Sequence, residues 1–73
     1  MYSLDKLQLN KTGIIADLEL PPNIKKRFLN LGLIKNTKIT PLFISPSGDP
    51  RAYQFRECLI AIRKDYAKKI YLK

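Results

Sequence analysis

The amino-acid sequence predicts a mainly β fold: a small, partly open barrel with one short amphipathic helix and a C-terminal helical turn. Three observations lead to this prediction. The chain has 73 residues, which suits a single domain over residues 1–73. Several short runs rich in β-branched and aromatic residues alternate with turn residues. Only one segment has the apolar spacing of a helix, so strands are expected to form most of the core.

The two ends of the chain are predicted to form short elements. Leucines among polar residues at 3–9 favour a short helical turn, and the β-branched run at 14–18 favours a strand. Near the C-terminus, Asp65 has the chemistry of an N-cap for a last helical turn through residue 69. Residues 70–72 then predict a closing strand.

The one clear helix is predicted at residues 24–31. Two consecutive prolines precede it, and proline is tolerated in the first helical turn, where its missing N–H leaves no hydrogen bond unmade. Ile24, Phe28 and Leu31 recur at helical spacing and are expected to form a buried stripe. Gly32 follows, at a position where a residue with positive φ commonly ends a helix. A helix this short is not stable alone, so its stripe is expected to pack on the strands.

A hairpin is predicted between residues 37–44 and 52–55, which flank a loop at 45–51. The loop contains two prolines, a glycine and an aspartate, a composition typical of a stiff turn that needs no ligand. Pro41 cannot donate to a β-ladder, so it is expected at an edge or a bulge. Before the first arm, Asn36 is expected to adopt the positive φ of a turn.

A third β run is predicted at residues 58–63, with Cys58, Ile60 and Ile62 on one face. On this apolar face a buried, inert thiol is favoured over a reactive one. Because the chain contains a single cysteine, no internal disulfide can form, which fits a reducing compartment.

The charge balance indicates the kind of partner. Fourteen Lys and Arg against six Asp and Glu give a formal net charge of +8. Nucleic acid, an anionic membrane surface and an acidic protein surface satisfy this charge equally well, and a solvated basic surface that only maintains solubility is a fourth alternative. No apolar run is long enough to span a bilayer and no secretory signal pattern is present, so a cytoplasmic protein is expected.

Several kinds of chemistry are not expected. The chain has no histidine, the commonest general base and transition-metal ligand. One thiol and six scattered carboxylates match neither a zinc site nor an EF-hand. Gly13, Gly32 and Gly48 are isolated, whereas a phosphate-binding loop needs closely spaced glycines followed by lysine. We therefore expect no enzyme, no cofactor and no metal site.

An aromatic pair offers a possible nucleic-acid surface. Tyr53 and Phe55 alternate on one predicted strand face, with Arg51 and Arg56 nearby. Aromatic platforms beside cations on a small barrel are one way to hold single strands. Burial is the favoured alternative, because a short chain with few large residues needs them in its core. The densest basic run, residues 25–27, is likewise usually only the solvated face of a helix.

Four stretches resemble the FeoA family, the small cytosolic companions of the bacterial ferrous iron transporter FeoB. RFLNLGLIKNTKI resembles the family's helix, its Leu-Gly end and the following turn. SGDP resembles the loop before the next strand, and LIAIRKDYAKKI resembles the last strand and terminal element. With the opening LDKLQLNKTGIIADL, the resemblance covers nearly the whole chain in the family's order. It implies an SH3-like β-barrel with one prominent helix.

Two turn positions depart from the family pattern. Asn36 stands where a glycine is usual, and asparagine adopts positive φ at little cost. Glu57 stands at the usual turn glycine before the last long strand, and glutamate does not adopt positive φ readily. The turn at Glu57 is therefore the one whose backbone conformation is expected to differ from that of the family.

The resemblance implies a non-enzymatic accessory that acts at the cytosolic, GTP-binding part of FeoB and supports or regulates Fe(II) uptake. It implies roles for the helix end, the loop and the late strand, and the exposed basic face of the helix adds two lysines whose charge would aid encounter. The expected partner-binding residues are Lys25, Lys26, Arg27, Leu31, Gly32, Gly48, Asp49, Pro50, Arg51 and Arg63. No catalytic residue, cofactor or metal ligand is expected.

Two alternatives stay open. The same fold occurs as the C-terminal module of DtxR-type metal-dependent repressors, where it contacts other protein segments, so the chain is alternatively a stand-alone relative of that module. The other alternative is a basic barrel that binds nucleic acid directly. Under the favoured hypothesis the partner is the cytosolic G domain of FeoB, no nucleic acid is bound, and contact with the membrane is peripheral at most.

Overall fold

The computed structural model describes residues 2–73 and contains six β-strands, two α-helices and one 3₁₀ turn. In chain order the elements are β1 (Tyr2–Ser3), the 3₁₀ turn (Leu4–Lys6), β2 (Gly13–Leu18), α1 (Pro22–Asn30), β3 (Lys38–Ile44), β4 (Arg51–Phe55), β5 (Cys58–Ile62), α2 (Lys64–Ala67) and β6 (Ile70–Leu72). The mainly β class, the helix, the hairpin and the C-terminal helical turn expected from the sequence are confirmed. The two-residue strand β1 was not expected.

All six strands belong to one antiparallel sheet in the order β1-β6-β2-β3-β4-β5. Strands β2, β3, β4 and β5 follow one another in space as in sequence, whereas β6 lies between β1 and β2. Among residues 2–73, the described strand pairs do not join β1 to β5, which are the two edges of the sheet. The two sheet edges are therefore open with respect to strand pairing.

The core contains the inward-facing side chains of the strands together with Phe28 from α1 and Leu33 after it. Tyr53 and Phe55 are 0% and 2% exposed, so both belong to the core, as favoured from the sequence. Their rings are therefore not available as stacking platforms for bases, which removes the main support for a nucleic-acid surface.

Helix α1 ends in a Schellman motif. The N–H of Gly32 donates to the Leu29 carbonyl at 3.0 Å, and the N–H of Leu33 donates to the Phe28 carbonyl at 3.0 Å. Gly32 has φ +96°, as its position after the helix predicted. The motif turns Leu33 back onto Phe28, and both side chains are buried.

The prediction that Leu31 completes the buried stripe of the helix is wrong. Leu31 is 43% exposed, while Ile24 is half-buried and Phe28 is buried. Because Leu31 is the C-cap, the chain leaves the helix axis there, and Leu33 enters the core in its place. The prediction failed because it continued the helical spacing of apolar residues past the point where the helix ends.

Pro41 lies at a bulge in β3, one of the two places expected for it. The register between β3 and β4 shifts between Pro41 and Phe43, and Pro41 is buried. The strand itself is not an edge, because β2 and β4 flank it. A proline inside a central strand is tolerated where a bulge interrupts the ladder.

Cys58 is exposed, so the prediction of a buried thiol is wrong. Its parity along β5 matches that of Ile60 and Ile62, which are half-buried and buried. Cys58 is the first residue after the β4–β5 turn and pairs with Phe55 at the end of the ladder. The inward face of β5 is therefore covered only from its middle onward.

The N-cap position of α2 also differs from the prediction. Arg63 is the N-cap residue, with extended backbone and no side-chain hydrogen bond to the helix, and Asp65 lies inside the first turn. At this position the Asp65 carboxylate still interacts favourably with the positive N-terminal end of the helix dipole. The dipole of α2 is small, because the helix has only four residues. The start of the helix is thus two residues earlier than Asp65 suggests.

Two turns show how the chain uses positive φ without glycine. Asn36 has φ +72°, as predicted. In the turn between β4 and β5, Arg56 has φ +56° and Glu57 does not have positive φ. Since Phe55 pairs with Cys58, this turn has two residues, and the first of them adopts the left-handed conformation. Glu57 therefore does not need the positive φ of the family's turn glycine, because Arg56, one residue earlier, adopts it.

Candidate docking site

The loop at 45–51 is a turn held by its own hydrogen bonds. The N–H of Ser45 donates to the Pro50 carbonyl at 3.1 Å, and the N–H of Gly48 donates to the Ser45 carbonyl at 2.8 Å. The Ser47 hydroxyl donates to the Asp49 carbonyl at 2.9 Å. Gly48 has φ +91°, which explains the glycine at this point. The turn predicted from the sequence is thus confirmed.

Asp49 joins this loop to the start of α2. Its Oδ1 accepts a hydrogen bond of 2.8 Å from the backbone N–H of Lys64. Asp49 and Pro50 are half-buried, whereas Gly48 and Arg63 are exposed. Asp49 is one of the residues expected to bind a partner. Its carboxylate already accepts a hydrogen bond within the fold, from the start of α2.

Arg51 is directed into the molecule. Its guanidinium donates to the backbone carbonyls of Asp5, at 2.6 Å from Nη1, and of Leu7, from Nη2. Its Cζ lies 5.3 Å from the centroid of the Tyr53 ring, a cation–π geometry. Arg51 thus links β4 to the segment that follows β1. Strand β1 is the edge strand at the far side of the sheet from β4 and β5.

A cavity of about 120 Å³ lies beneath the loop. Arg51 and Tyr53 are among the residues that line it. In the described structure the Tyr53 hydroxyl and the Arg51 Nε are buried without a hydrogen-bond partner. Burial raises the pKa of the Tyr53 hydroxyl above its ordinary 10.0; the Arg51 guanidinium acts in the opposite direction, and two nearby carboxylates raise the pKa further. The other lining residues are Asp5, Ile44, Gly48, Asp49, Ile62 and Lys64.

The second group of expected site residues lies on α1 and at its end. Lys26 and Arg27 are exposed, and Lys25 is half-buried. Beyond them, Leu31 is exposed and Gly32 makes the turn out of the helix. All five belong to one short stretch of chain, the helix and its C-terminal turn.

Arg56 joins this group although sequence reasoning did not assign it to the site. A Cβ added at Gly32 would lie 3.8 Å from three atoms of the Arg56 side chain, so that side chain lies against the helix end. A shallow depression lies alongside, lined by Ile34, Lys35, Asn36, Thr37, Lys38 and Arg56. The two lysines flanking the Asn36 turn are visible in the sequence, but the approach of Arg56 is a tertiary contact and leaves no local signal.

The helix group and the loop group lie at opposite ends of β4. Arg51 begins the strand at the loop, and Arg56 follows its last residue at the helix end. Five residues of extended chain span about 16 Å. The structure therefore separates the expected site residues into two surfaces. We name the first the helix-end surface, which consists of Arg27, Leu31, Gly32, Ile34 and Arg56.

Two further observations concern membranes and metals. Within residues 2–73, no helix is long and apolar enough to cross a membrane. In the same part of the chain, His, Cys, Asp and Glu side chains form no group of three or more that could hold a metal ion.

The family model for the FeoA domain matches residues 2–73. The chain belongs to the FeoA family. Its fold matches that of FeoA from Chlorobium tepidum, with a TM-score of 0.92 and 24% identity over 96% of this chain and 67% of that one. It also matches zinc-complexed FeoA from Stenotrophomonas maltophilia, described as a procaryotic SH3 domain protein, with a TM-score of 0.86 and 23% identity over 100% and 91% of the two chains.

The same fold occurs in larger proteins. A manganese-dependent transcriptional repressor matches with a TM-score of 0.84 at 14% identity, over 96% of this chain and 39% of the repressor. At this level of identity the likeness concerns the fold alone. No curated protein sequence matches the chain.

Proposed function

We propose that this FeoA-family protein is a non-enzymatic, cytoplasmic accessory of bacterial ferrous iron uptake that docks on the cytosolic GTP-binding part of FeoB. Family membership supports the link to iron uptake. A similar solved structure, from Clostridium thermocellum, is described as iron(II) transport protein A; it matches with a TM-score of 0.89 at 22% identity over 97% of this chain and 44% of that one.

The helix-end surface is the observation that supports docking. It combines two exposed apolar side chains, Leu31 at 43% and Ile34 at 42%, with the guanidinium groups of Arg27 and Arg56. Exposed apolar side chains on the same surface as cationic groups suit a protein partner better than a purely solvated face, because apolar contact adds affinity while charge aids encounter. The partner surface expected here is acidic with an apolar centre.

The loop end contributes less in this proposal. Arg51 donates its hydrogen bonds to backbone carbonyls, and Asp49 accepts one from Lys64. Any contact with a partner would therefore use the exposed Gly48 and Arg63. A partner-binding role for Asp49 and Pro50 stays a prediction from the family resemblance, and one for Arg51 stays a prediction from its place in the loop.

The proposal includes the SH3-like barrel expected from the family resemblance. The hydrogen bonds of Arg51 with Asp5 and Leu7 support it, because they join β4, the neighbour of the edge strand β5, to the segment after the other edge strand, β1. Under this description side-chain hydrogen bonds take the place of a closing strand pair.

Binding to the isolated cytosolic domain of the cognate FeoB tests the proposal. The variant Arg27→Glu/Arg56→Glu, within the helix-end surface, is expected to weaken affinity at least about tenfold and to reduce its salt dependence. The matched control is Lys68→Glu/Lys69→Glu, which changes net charge equally on another exposed basic pair and is expected to have a much smaller effect.

Three outcomes are informative. Absence of binding at low and high ionic strength rejects the proposal, and equal losses in both variants show non-specific attraction instead of docking at the helix end. A gel shift with mixed oligonucleotides serves as a further check, since saturable, salt-sensitive binding there would transfer the function to nucleic acid.

A further inference from the structure

Strand β5 is an edge strand without the usual protection. It pairs with β4 through five residues in uninterrupted register, and no other strand lies beside it in the described sheet. Its sequence, CLIAI, contains no charge and no proline. Natural edge strands are normally shielded by lysines, prolines, bulges or a covering segment, because their free N–H and C=O groups can pair with another strand.

The hydrogen-bonding parity of β5 shows which groups are free. Phe55 and Cys58 flank a two-residue turn, so they form a hydrogen-bonded pair, and such pairs alternate along an antiparallel ladder. The amides and carbonyls of Leu59 and Ala61 therefore point away from β4. Within residues 2–73 no other backbone hydrogen bond uses these groups.

The side chains of the same two residues form part of an apolar outer face. Leu59 is 59% exposed and Ala61 is exposed. Ala61 pairs with Ala52, which in turn pairs with Phe43, itself 56% exposed. Two alanines thus lie between the large Phe43 ring and the free edge, leaving room for an apolar side chain of an added strand.

We propose that a second copy of this chain adds to this edge, so that the two β5 strands pair antiparallel about a two-fold axis at Ile60. In this register Leu59 of each copy lies opposite Ala61 of the other, which matches the free backbone groups and forms four hydrogen bonds. It places Leu59 of the second copy beside the Ala61–Ala52 row. Two sheets of six strands become one continuous sheet of twelve.

Charge complementarity favours a second copy as the occupant. Extended by one residue beyond each end of β5, the register that centres on Ile60 places Glu57 of each copy opposite Arg63 of the other, and both side chains are exposed. The symmetry makes two such pairs, so the edge is complementary to itself. A strand from another protein would need to supply this pattern independently.

The association is expected to be weak and strengthened by salt. One pair of five-residue strands buries less area than the 1,200 Å² or so of a standard interface. The net charge of +8 on each copy opposes association at low ionic strength. Added salt also screens the two Glu57–Arg63 pairs, but exposed ion pairs contribute only weakly to association. The relief of the repulsion between the two net charges is therefore expected to dominate and to favour the dimer, opposite to the effect of salt on binding to an acidic partner.

Sedimentation equilibrium over a wide concentration range, with a reductant to prevent cross-linking through Cys58, measures the association. Ala61→Pro removes the outward N–H without touching the ladder to β4, so self-association is expected to disappear while the fold persists. Backbone amide spectra check the fold and are expected to show concentration-dependent shifts confined to β5 in the unmodified chain.

A charge-swap cycle tests the register independently of the proline. Glu57→Lys and Arg63→Glu are each expected to weaken the dimer about tenfold, and the double swap is expected to restore it. Repulsion of net charge alone predicts the contrary for Arg63→Glu, which lowers the positive charge and would strengthen association. Arg63 makes no side-chain cap to α2, so its swap leaves the fold intact.

A chain that stays monomeric at the highest concentration and at high salt overturns the proposal, as expected if only a strand of another protein uses this edge. Self-association that survives Ala61→Pro, or that the double swap does not restore, overturns the β5 register.

Discussion

The two ends of β4 use their polar groups in opposite ways. At the loop end, the Arg51 guanidinium and the Asp49 carboxylate both bond to backbone groups of distant segments. At the helix end, Arg27 and Arg56 lie exposed beside apolar side chains. One strand of five residues thus connects a surface whose charges hold the fold together to a surface whose charges face solvent.

This difference shows why residue type alone does not identify a binding surface. Both ends contain arginine, glycine and a tight turn, and both belong to stretches that resemble the family. Only the hydrogen-bond partners separate them. An arginine that already donates to two carbonyls has fewer donors to offer a partner, so recognition is expected at the end where the guanidinium is free.

A matched pair of arginine substitutions is expected to give the largest difference between the two ends. Arg51→Met keeps an apolar stem but leaves the Asp5 and Leu7 carbonyls without their donor, and is expected to lower the free energy of unfolding by about 2–3 kcal/mol. Arg56→Met, at the exposed end, is expected to change it by less than about 0.5 kcal/mol. Urea unfolding measures both, and equal losses would show that the two ends do not differ.

The glycines at the two ends provide a second, smaller contrast. Gly32→Ala forces a side chain into φ +96° within the Schellman motif and is expected to cost about 1 kcal/mol. Gly48→Ala, at φ +91° with no atom within 4 Å of the added Cβ, is expected to cost less, because its loop can relax without breaking a helix. Gly32→Asn should recover part of the loss in thermal unfolding, since asparagine tolerates this conformation.

Tyr53→Phe, at the loop end, is expected to have the smallest effect on stability. The hydroxyl is buried without a partner, so its removal is expected to leave stability at pH 7 unchanged or to raise it by up to about 1 kcal/mol. A loss well beyond that range would mean that an internal water satisfies the hydroxyl in solution.

The pH dependence of the same variant has a definite sign. The folded-state pKa of Tyr53 is raised above the unfolded value of 10.0. Below pH 10 both states keep the proton and stability is unaffected, whereas at higher pH the unfolded chain ionises first and stability falls. The difference between the unfolding free energies of the unmodified chain and of Tyr53→Phe, measured as a function of pH, isolates this decline. Absence of the decline would show that the hydroxyl is not buried.

Local turn chemistry was predictable because it depends on a few adjacent residues. The helix end at Gly32, the positive φ of Asn36 and the stiff loop around Gly48 all follow from residue type and position. The same holds for the burial of Tyr53 and Phe55, since strand alternation and the shortage of large side chains both require it. Each of these features depends mainly on residues near it in sequence.

The features that sequence reasoning missed depend on which segments meet in space. Cys58 has the parity of a buried residue, yet nothing covers that end of β5. Leu31 continues the helical stripe, but the chain turns there and Leu33 fills the core. The contact of Arg56 with the helix end, and the inward direction of Arg51, join residues more than twenty positions apart.

The fold class, the turns and the family were predictable from the linear chain, because apolar periodicity, glycine positions and residue order are properties of it. Which arginine is internal, which is exposed and which strand is an open edge became known only from the folded structure. These depend on the partner that each donor or strand finds across the fold, and a buried polar group is stable only where such a partner exists.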